Sequence, residues 1–169
     1  EFFLLMFALF KMGAVPVLID PGIPRKALKQ CLAEAEPDAF IGIPLAQFAK
    51  GLFGWAPNSR LRITVGRRLG WGGLTLQEVE KAGEGVLAAD AASSTPRPPA
   101  PEDASADEIA AILFTSGSTG LPKGVVYRHR HFVAQVNMLR EAFGMAAGGV
   151  DLPTFPPFAL FDPALGLSS

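Results

Sequence analysis

Nine apolar residues in a row, Phe2 to Phe10, precede Lys11, and Gly13 and Pro16 follow. A membrane-spanning helix needs about 20 such residues. A secretory leader carries positive charge ahead of its apolar stretch, and none stands here. The run therefore predicts a buried helix, with membrane insertion as the alternative. Val15 to Ile19 is short and rich in β-branched residues, which predicts a buried strand closed by the loop Asp20-Pro21-Gly22. From Pro24 the pattern turns helical. Ala27, Leu28, Cys31, Leu32 and Ala35 recur at i, i+1, i+4, i+5 and i+8 on one helical face, and proline suits the first turn. Ala39 to Ile43 reads as the next strand, Leu45 to Leu52 as a short helix, Leu61 to Val65 as a strand, and Thr75 to Lys81 as a helix capped by Thr75.

The stretch Asp90 to Asp107 changes character. It holds Pro96, Pro98, Pro99 and Pro101 among many Ala and Ser, the composition of an exposed linker. Ile109 to Phe114 is a nearly continuous apolar strand, Thr115 to Gly124 a loop, and Val125 to Tyr127 another short strand. Phe132, Val136, Leu139 and Phe143 recur at i, i+4, i+7 and i+11, so His129 to Phe143 reads as an amphipathic helix. Alternating apolar strands and helices predict an α/β fold, a largely parallel sheet flanked by helices. There is no internal repeat.

Composition narrows the classes. With 169 residues the chain suits one domain of ordinary size. Lys plus Arg is 15 and Asp plus Glu is 16, a net charge of −1, without the basic excess of a nucleic-acid groove. At 49% hydrophobic residues the chain is not a disordered tail. A single cysteine, Cys31, excludes a disulfide scaffold and a multi-cysteine metal site, and fits a reducing, cytoplasmic setting. The first residue is Glu1, directly ahead of an apolar run, and Ser169 follows the punctuated run Asp162 to Gly166. The chain is therefore expected to be a fragment of something longer.

The chemistry concentrates in Leu113-Phe-Thr-Ser-Gly-Ser-Thr-Gly-Leu-Pro-Lys-Gly-Val125. Between Thr115 and Gly124 lie four hydroxyls, three glycines and one lysine. Glycines let backbone N–H groups approach an anion closely, and consecutive N–H groups form a concave nest. Thr115, Ser116, Ser118 and Thr119 add hydroxyl donors, and Lys123 adds a point charge. This is the make-up of a phosphate-holding loop; the alternative is a Ser/Gly-rich hairpin with no ligand. It is not a Walker loop, because Lys123 follows Pro122 and precedes Gly124 and Val125. It is expected to lead into a strand, so a helix dipole would not supply the phosphate binding.

Thr115-Ser-Gly-Ser-Thr-Gly-x-Pro-Lys-Gly124 resembles the signature loop of the AMP-binding, adenylate-forming superfamily, which includes acyl-CoA synthetases, luciferases and peptide-synthetase adenylation domains. Phe10-Lys-Met-Gly-Ala-Val-Pro-Val-Leu-Ile-Asp-Pro21 resembles an earlier segment of that family, and Asp103 to Ala111 its acidic lead-in. The run Gly149 to Gly166, with Val126 to Phe132, resembles the β-lactone synthetases of bacterial long-chain olefin biosynthesis, relatives of fatty-acyl-CoA ligases.

The resemblance implies that residues 1–169 are part of the N-terminal large domain. Residues 1–89 would form a first α/β part, 90–107 a linker and 108–169 the phosphate-loop part, with the C-terminal domain absent. It implies ATP-dependent activation of a carboxylic acid as an acyl adenylate. The acid would be a long-chain β-hydroxy acid, closed to a β-lactone with release of AMP and pyrophosphate. A fatty-acyl-CoA ligase is the alternative within the family, and a non-catalytic nucleotide-binding remnant the alternative outside it. Thr115, Ser116, Gly117, Ser118, Thr119, Gly120, Lys123 and Gly124 would hold the β- and γ-phosphates, with Mg²⁺ offsetting their charge. The chain carries no dedicated metal cage and no assigned catalytic residue. The family's later motifs are missing, so the chain alone is not expected to complete the reaction.

Phe155, Phe158, Phe161 and Asp162 fall where the family lines its acyl pocket. Many acyl-CoA synthetases carry an aromatic followed by His there, and this chain has Phe158-Ala159 instead. The aromatics could equally be ordinary core. Asp162, beside Pro163, could orient a substrate hydroxyl or cap a turn, the turn being the simpler reading. Arg128-His-Arg-His131 could guard an anionic ligand, or be a solvated helix start in which a histidine satisfies backbone groups. Arg67-Arg68 reads as a surface pair and Cys31 as inert core. A long-chain acid would also suit loose association with a membrane surface or a pathway enzyme.

Overall fold

The computed structural model describes residues 1–20, 22–92, 105–115, 122–152 and 159–168. They form an α/β arrangement of two small sheets with helices, divided into two compact units. One comprises Glu1–Leu18, Ala100–Leu113 and Val125–Ser169; the other comprises Ile19–Pro99 and Phe114–Gly124.

In the second unit, α2 (Arg25–Ala35) follows Pro24, which stands at its N-cap. Cys31 and Leu32 are buried, and Ala27, Leu28 and Ala35 are half-buried, which is the face that the periodicity marks. Strands β2 (Ala39–Gly42), β3 (Leu61–Thr64) and β4 (Leu74–Thr75) form a parallel sheet with β3 in the middle. Ala39 to Gly42 pair in register with Leu61 to Thr64, and Ile63 and Thr64 with Leu74 and Thr75. Helix α3 (Pro44–Phe53) makes the crossover from β2 to β3 that parallel pairing demands.

Strand β4 has no hydrophobic alternation to announce it; two residues are too few for a period. Gly73 leads into it at φ +95°, where a Cβ would lie 2.4 Å from the Arg62 carbonyl oxygen. Helix α4 (Leu76–Ala92) starts where Thr75 predicts and runs well past Lys81, taking in the first residues of the Asp90 to Asp107 stretch. Its start is a reciprocal cap: Thr75 Oγ1 accepts from the Glu78 N–H at 3.2 Å, and Glu78 Oε2 accepts from the Thr75 N–H at 2.7 Å.

In the first unit, α1 (Phe2–Lys11) is a helix, but not the buried one expected. Only Met6 is buried, while Leu4 is 74% exposed and Phe2, Phe3 and Phe7 are also open. A helix apolar all round has no polar face, so its pattern cannot say which side neighbours cover. Strands β1 (Val17–Ile19), β5 (Ile109–Thr115) and β6 (Lys123–Arg128) form a sheet in the order β1-β5-β6. Ala110 and Ala111 are fully buried on the central strand, β5.

After β6, the His129 N–H reaches the Glu108 carbonyl at 3.2 Å and the Arg130 N–H reaches Ala106 at 2.9 Å. The far end of β6 therefore lies beside the start of β5, and the two strands form an antiparallel hairpin. Helix α5 (His129–Phe143) has the bounds that its 3.6-residue period predicts. A one-turn helix, α6 (Asp162–Leu165), follows later and packs on α5.

Candidate functional site

The phosphate-loop sequence joins two paired strands. Thr115 ends β5 and Lys123 begins β6, so the loop is shorter than the expected Thr115 to Gly124: Lys123 and Gly124 are already strand. Ser116, Gly117, Ser118, Thr119 and Gly120 lie outside the described residues. Thr115, Lys123 and Gly124 are exposed. Among the described residues Lys123 makes no salt bridge. The loop leads into a strand, as expected, so no helix N-terminus follows the lysine. The strand pair instead holds both loop ends, one carrying a hydroxyl and the other an ammonium.

Of the proposed acyl-wall residues, Phe155 and Phe158 also lie outside the described residues. Phe161 and Asp162 are described. Phe161 packs against Phe132 of α5, ring centroids 6.1 Å apart. Phe132 in turn meets Phe10 of α1 at 5.9 Å and Tyr127 of β6 at 5.5 Å. This four-ring cluster is an apolar wall drawn from four separate segments. Phe10, Tyr127 and Phe132 were not candidates from sequence. The only signal for them was that Phe132 lies on the apolar stripe of its helix.

Asp162 is 2% exposed and opens α6. Its backbone carbonyl accepts from the Leu167 N–H at 2.8 Å. The Oδ2 of its carboxyl has no hydrogen-bond partner among the described residues. Arg140, the nearby cation on α5, donates to the Ala164 carbonyl at 3.0 Å instead.

The basic tetrad resolves into local roles. His131 Nδ1 accepts from the Arg128 N–H at 3.1 Å, so this histidine satisfies the helix start. The Arg128 and Arg130 guanidiniums both reach Asp107, one at its carbonyl and one at its carboxylate. Arg68 pairs with Glu78 at 3.6 Å on the surface. Cys31 is buried, and its thiol is pushed up from its ordinary pKa, first by burial and then by the charge of Glu34, which leaves it a poor nucleophile. Among the described residues no three His, Cys, Asp or Glu side chains gather to hold a metal, and no helix is long and apolar enough to cross a membrane.

Comparison with known proteins places these features in context. Residues 1–161 match the family of AMP-binding enzymes. Over its full length the chain is 66% identical to an olefin β-lactone synthetase of Stenotrophomonas maltophilia, covering 29% of that protein. It is also 66% identical to an olefin β-lactone synthetase of Xanthomonas campestris, covering 28% of it. The chain thus spans less than a third of the length of these curated relatives. In fold it resembles an anthranilate CoA ligase solved with anthranoyl-AMP, at a TM-score of 0.72 and 17% identity, over 96% of this chain and 31% of that one.

Proposed function

The chain belongs to the AMP-binding enzyme family, and from that premise we propose that the protein carrying it activates a long-chain β-hydroxy acid with ATP and closes it to a β-lactone. The observation that carries this reading is the 66% identity, without a gap in coverage, to two olefin β-lactone synthetases. In the first step the carboxylate attacks the α-phosphorus of ATP. Pyrophosphate leaves and an acyl adenylate forms. In the second the β-hydroxyl oxygen bonds to the acyl carbon, the acyl–oxygen bond to phosphate breaks, AMP departs and the hydroxyl proton is released.

Both partners of the first step are anions, so donors and positive charge are needed where charge shifts. Thr115, Ser116, Gly117, Ser118, Thr119, Gly120, Lys123 and Gly124 are the residues proposed to hold the β- and γ-phosphates. The hairpin supports this role, because it anchors both ends of the loop on paired strands and leaves Thr115 and Lys123 open. Mg²⁺ would come with the nucleotide, bound mainly through phosphate oxygens, and would neutralise part of their charge. Phe155, Phe158, Phe161 and Asp162 are proposed to line the acyl site. The ring cluster around Phe161 supplies the apolar surface that an alkyl chain needs. A cytoplasmic setting and loose association with a membrane or a pathway enzyme fit such an acid.

The test uses the whole protein, ATP and a long-chain β-hydroxy acid. Pyrophosphate exchange and AMP release without CoA, with loss of water from the acid, are the expected outcome. Consumption of CoA with thioester formation would replace this reading with that of a fatty-acyl-CoA ligase. ATP binding without any exchange would favour a non-catalytic nucleotide-binding protein.

A further inference from the structure

Asp162 stands out because its Oδ2 is the one carboxyl oxygen among the buried side-chain atoms that lack a hydrogen-bond partner among the described residues. A buried carboxyl oxygen without a partner carries the full cost of lost hydration, so such groups are rare unless a ligand completes them. Three ordinary explanations fail here. Its Oδ2 accepts no hydrogen bond from the first turn of α6. It makes no salt bridge among the described residues, although Arg140 donates to the Ala164 carbonyl on the same short helix. The hydrogen bond that steadies the turn uses the backbone carbonyl of Asp162, not its carboxyl.

Its neighbours along the chain are apolar. Ala159 and Leu165 are buried on either side in sequence, and the adjacent Phe161 belongs to the ring cluster with Phe132, Phe10 and Tyr127. One acceptor set beside an apolar wall can recognise one hydroxyl on an otherwise aliphatic acid. A carboxyl oxygen accepts in either protonation state. A β-hydroxyl donates, and the corresponding methylene of a plain fatty acid does not. We infer that Asp162 accepts a hydrogen bond from the β-hydroxyl of the bound acid and so selects hydroxylated over unsubstituted acids. This rests on the proposed acid-activating role and adds the residue that reads the substrate's functional group.

The physical expectation follows from the asymmetry of hydrogen bonding. A site built to bond a hydroxyl discriminates against the analogue lacking it, because its own polar group is then left unpaired. The experiment measures pyrophosphate exchange by the whole protein with a β-hydroxy acid and with the plain acid of equal chain length. Both acids can undergo this step, so lactone closure does not enter. Wild type should prefer the hydroxylated acid in kcat/KM by roughly ten- to a hundred-fold, the cost of leaving one buried acceptor unpaired. Asp162→Leu should bring the two acids within about threefold of each other and leave the melting temperature unchanged or higher, since it removes an unpaired buried acceptor.

A substrate-side measurement needs no variant: wild type should treat a β-methoxy acid as poorly as the plain acid, because the methoxy oxygen cannot donate. A folded Asp162→Leu protein that keeps the preference, or a wild type that accepts the methoxy acid as readily as the hydroxy acid, would overturn the inference. A wild type that activates both acids equally would overturn it too. Failure of wild type to activate any acid would instead overturn the acid-activating role itself.

Discussion

Lys50 is a buried lysine whose ammonium is fully used, and replacing it with methionine tests how the parallel sheet unit is held. The residue lies on α3 and is 6% exposed. Its Nζ donates to the Trp55 carbonyl at 2.9 Å and to the Ala56 carbonyl at 2.5 Å. The same nitrogen stands 5.2 Å from the centre of the Phe40 ring on β2. Ala56 has φ +43°, a left-handed conformation that a non-glycine residue adopts only when its surroundings enforce it. Lys50 thus ties the turn after α3 to the helix and to the sheet. Lys50→Met keeps most of the apolar stem and removes both donors.

Two bonds from a charged donor set a ceiling of about 3–6 kcal/mol. Relief from burying the ammonium offsets part of that. The net loss expected is about 1–3 kcal/mol. Urea unfolding followed by tryptophan fluorescence measures it, because Trp55 sits in the perturbed turn and Trp71 is the only other tryptophan of the chain. Amide exchange over residues 55–59 should rise in parallel.

The pH dependence gives an independent sign. Burial, and then the charge of Arg62, hold the Lys50 pKa below its ordinary value. Between the lowered folded value and the ordinary unfolded value, the unfolded chain binds more protons, so this group makes stability rise with pH there. The difference in stability between wild type and Lys50→Met should therefore grow as pH climbs through that window. Equal stability of the two proteins, with unchanged exchange at the turn, would refute the reasoning.

Gly73→Ala should cost about 2–4 kcal/mol in urea unfolding, because the new methyl would meet the Arg62 carbonyl at a positive φ. Thr75→Ala should cost about 1 kcal/mol by removing one half of the α4 cap. Hydrogen bonds from the Thr75 N–H and hydroxyl hold the Glu78 carboxyl below its ordinary range, with Arg68 adding to them, so its contribution is present above the ordinary carboxylate pKa and fades as pH falls through the lowered value; Glu78→Gln should flatten that part of an acid melting series. Lys123→Ala should lower pyrophosphate exchange by the whole protein at least tenfold while leaving its melting temperature within a degree or two, and unchanged exchange would remove Lys123 from the phosphate-binding role.

Long apolar periods were the part of the fold most legible in the sequence. The face Ala27, Leu28, Cys31, Leu32 and Ala35 is the covered face of α2, and α5 has the bounds of its stripe. Capping chemistry was legible too: Thr75 placed the start of α4 to the residue. The two strands flanking the loop were legible but their antiparallel pairing was not, and the loop was drawn too long, because Lys123 and Gly124 look like loop residues by type and are strand by pairing. What stayed hidden depends on contacts distant in sequence. The strand Leu74–Thr75 exists only because β3 offers an edge. The openness of α1 reflects which neighbours reach it, a fact that its own composition does not contain.

The buried polar residues carry that distinction further. Gln47, Lys50, Thr64 and Asp162 are all inside, and residue type alone would place each at the surface. Three of them are explained once their partners are named. Gln47 Nε2 donates to the Ile63 carbonyl at 2.8 Å, Lys50 holds two carbonyls, and Thr64 Oγ1 accepts from the Trp71 indole at 3.0 Å. Each brings a helix or loop against the parallel sheet or its turn, so each is a structural fastener with at least one hydrogen bond made inside the chain, although Gln47 Oε1 has no partner among the described residues. Asp162 has the same burial, and its Oδ2 lacks such a bond among the described residues. A fold retains a fastener because the folded state is better with it; by that criterion Asp162 would be replaced by leucine at no loss. Its presence among aromatic and aliphatic neighbours therefore points away from folding and toward a bound molecule that brings the missing donor.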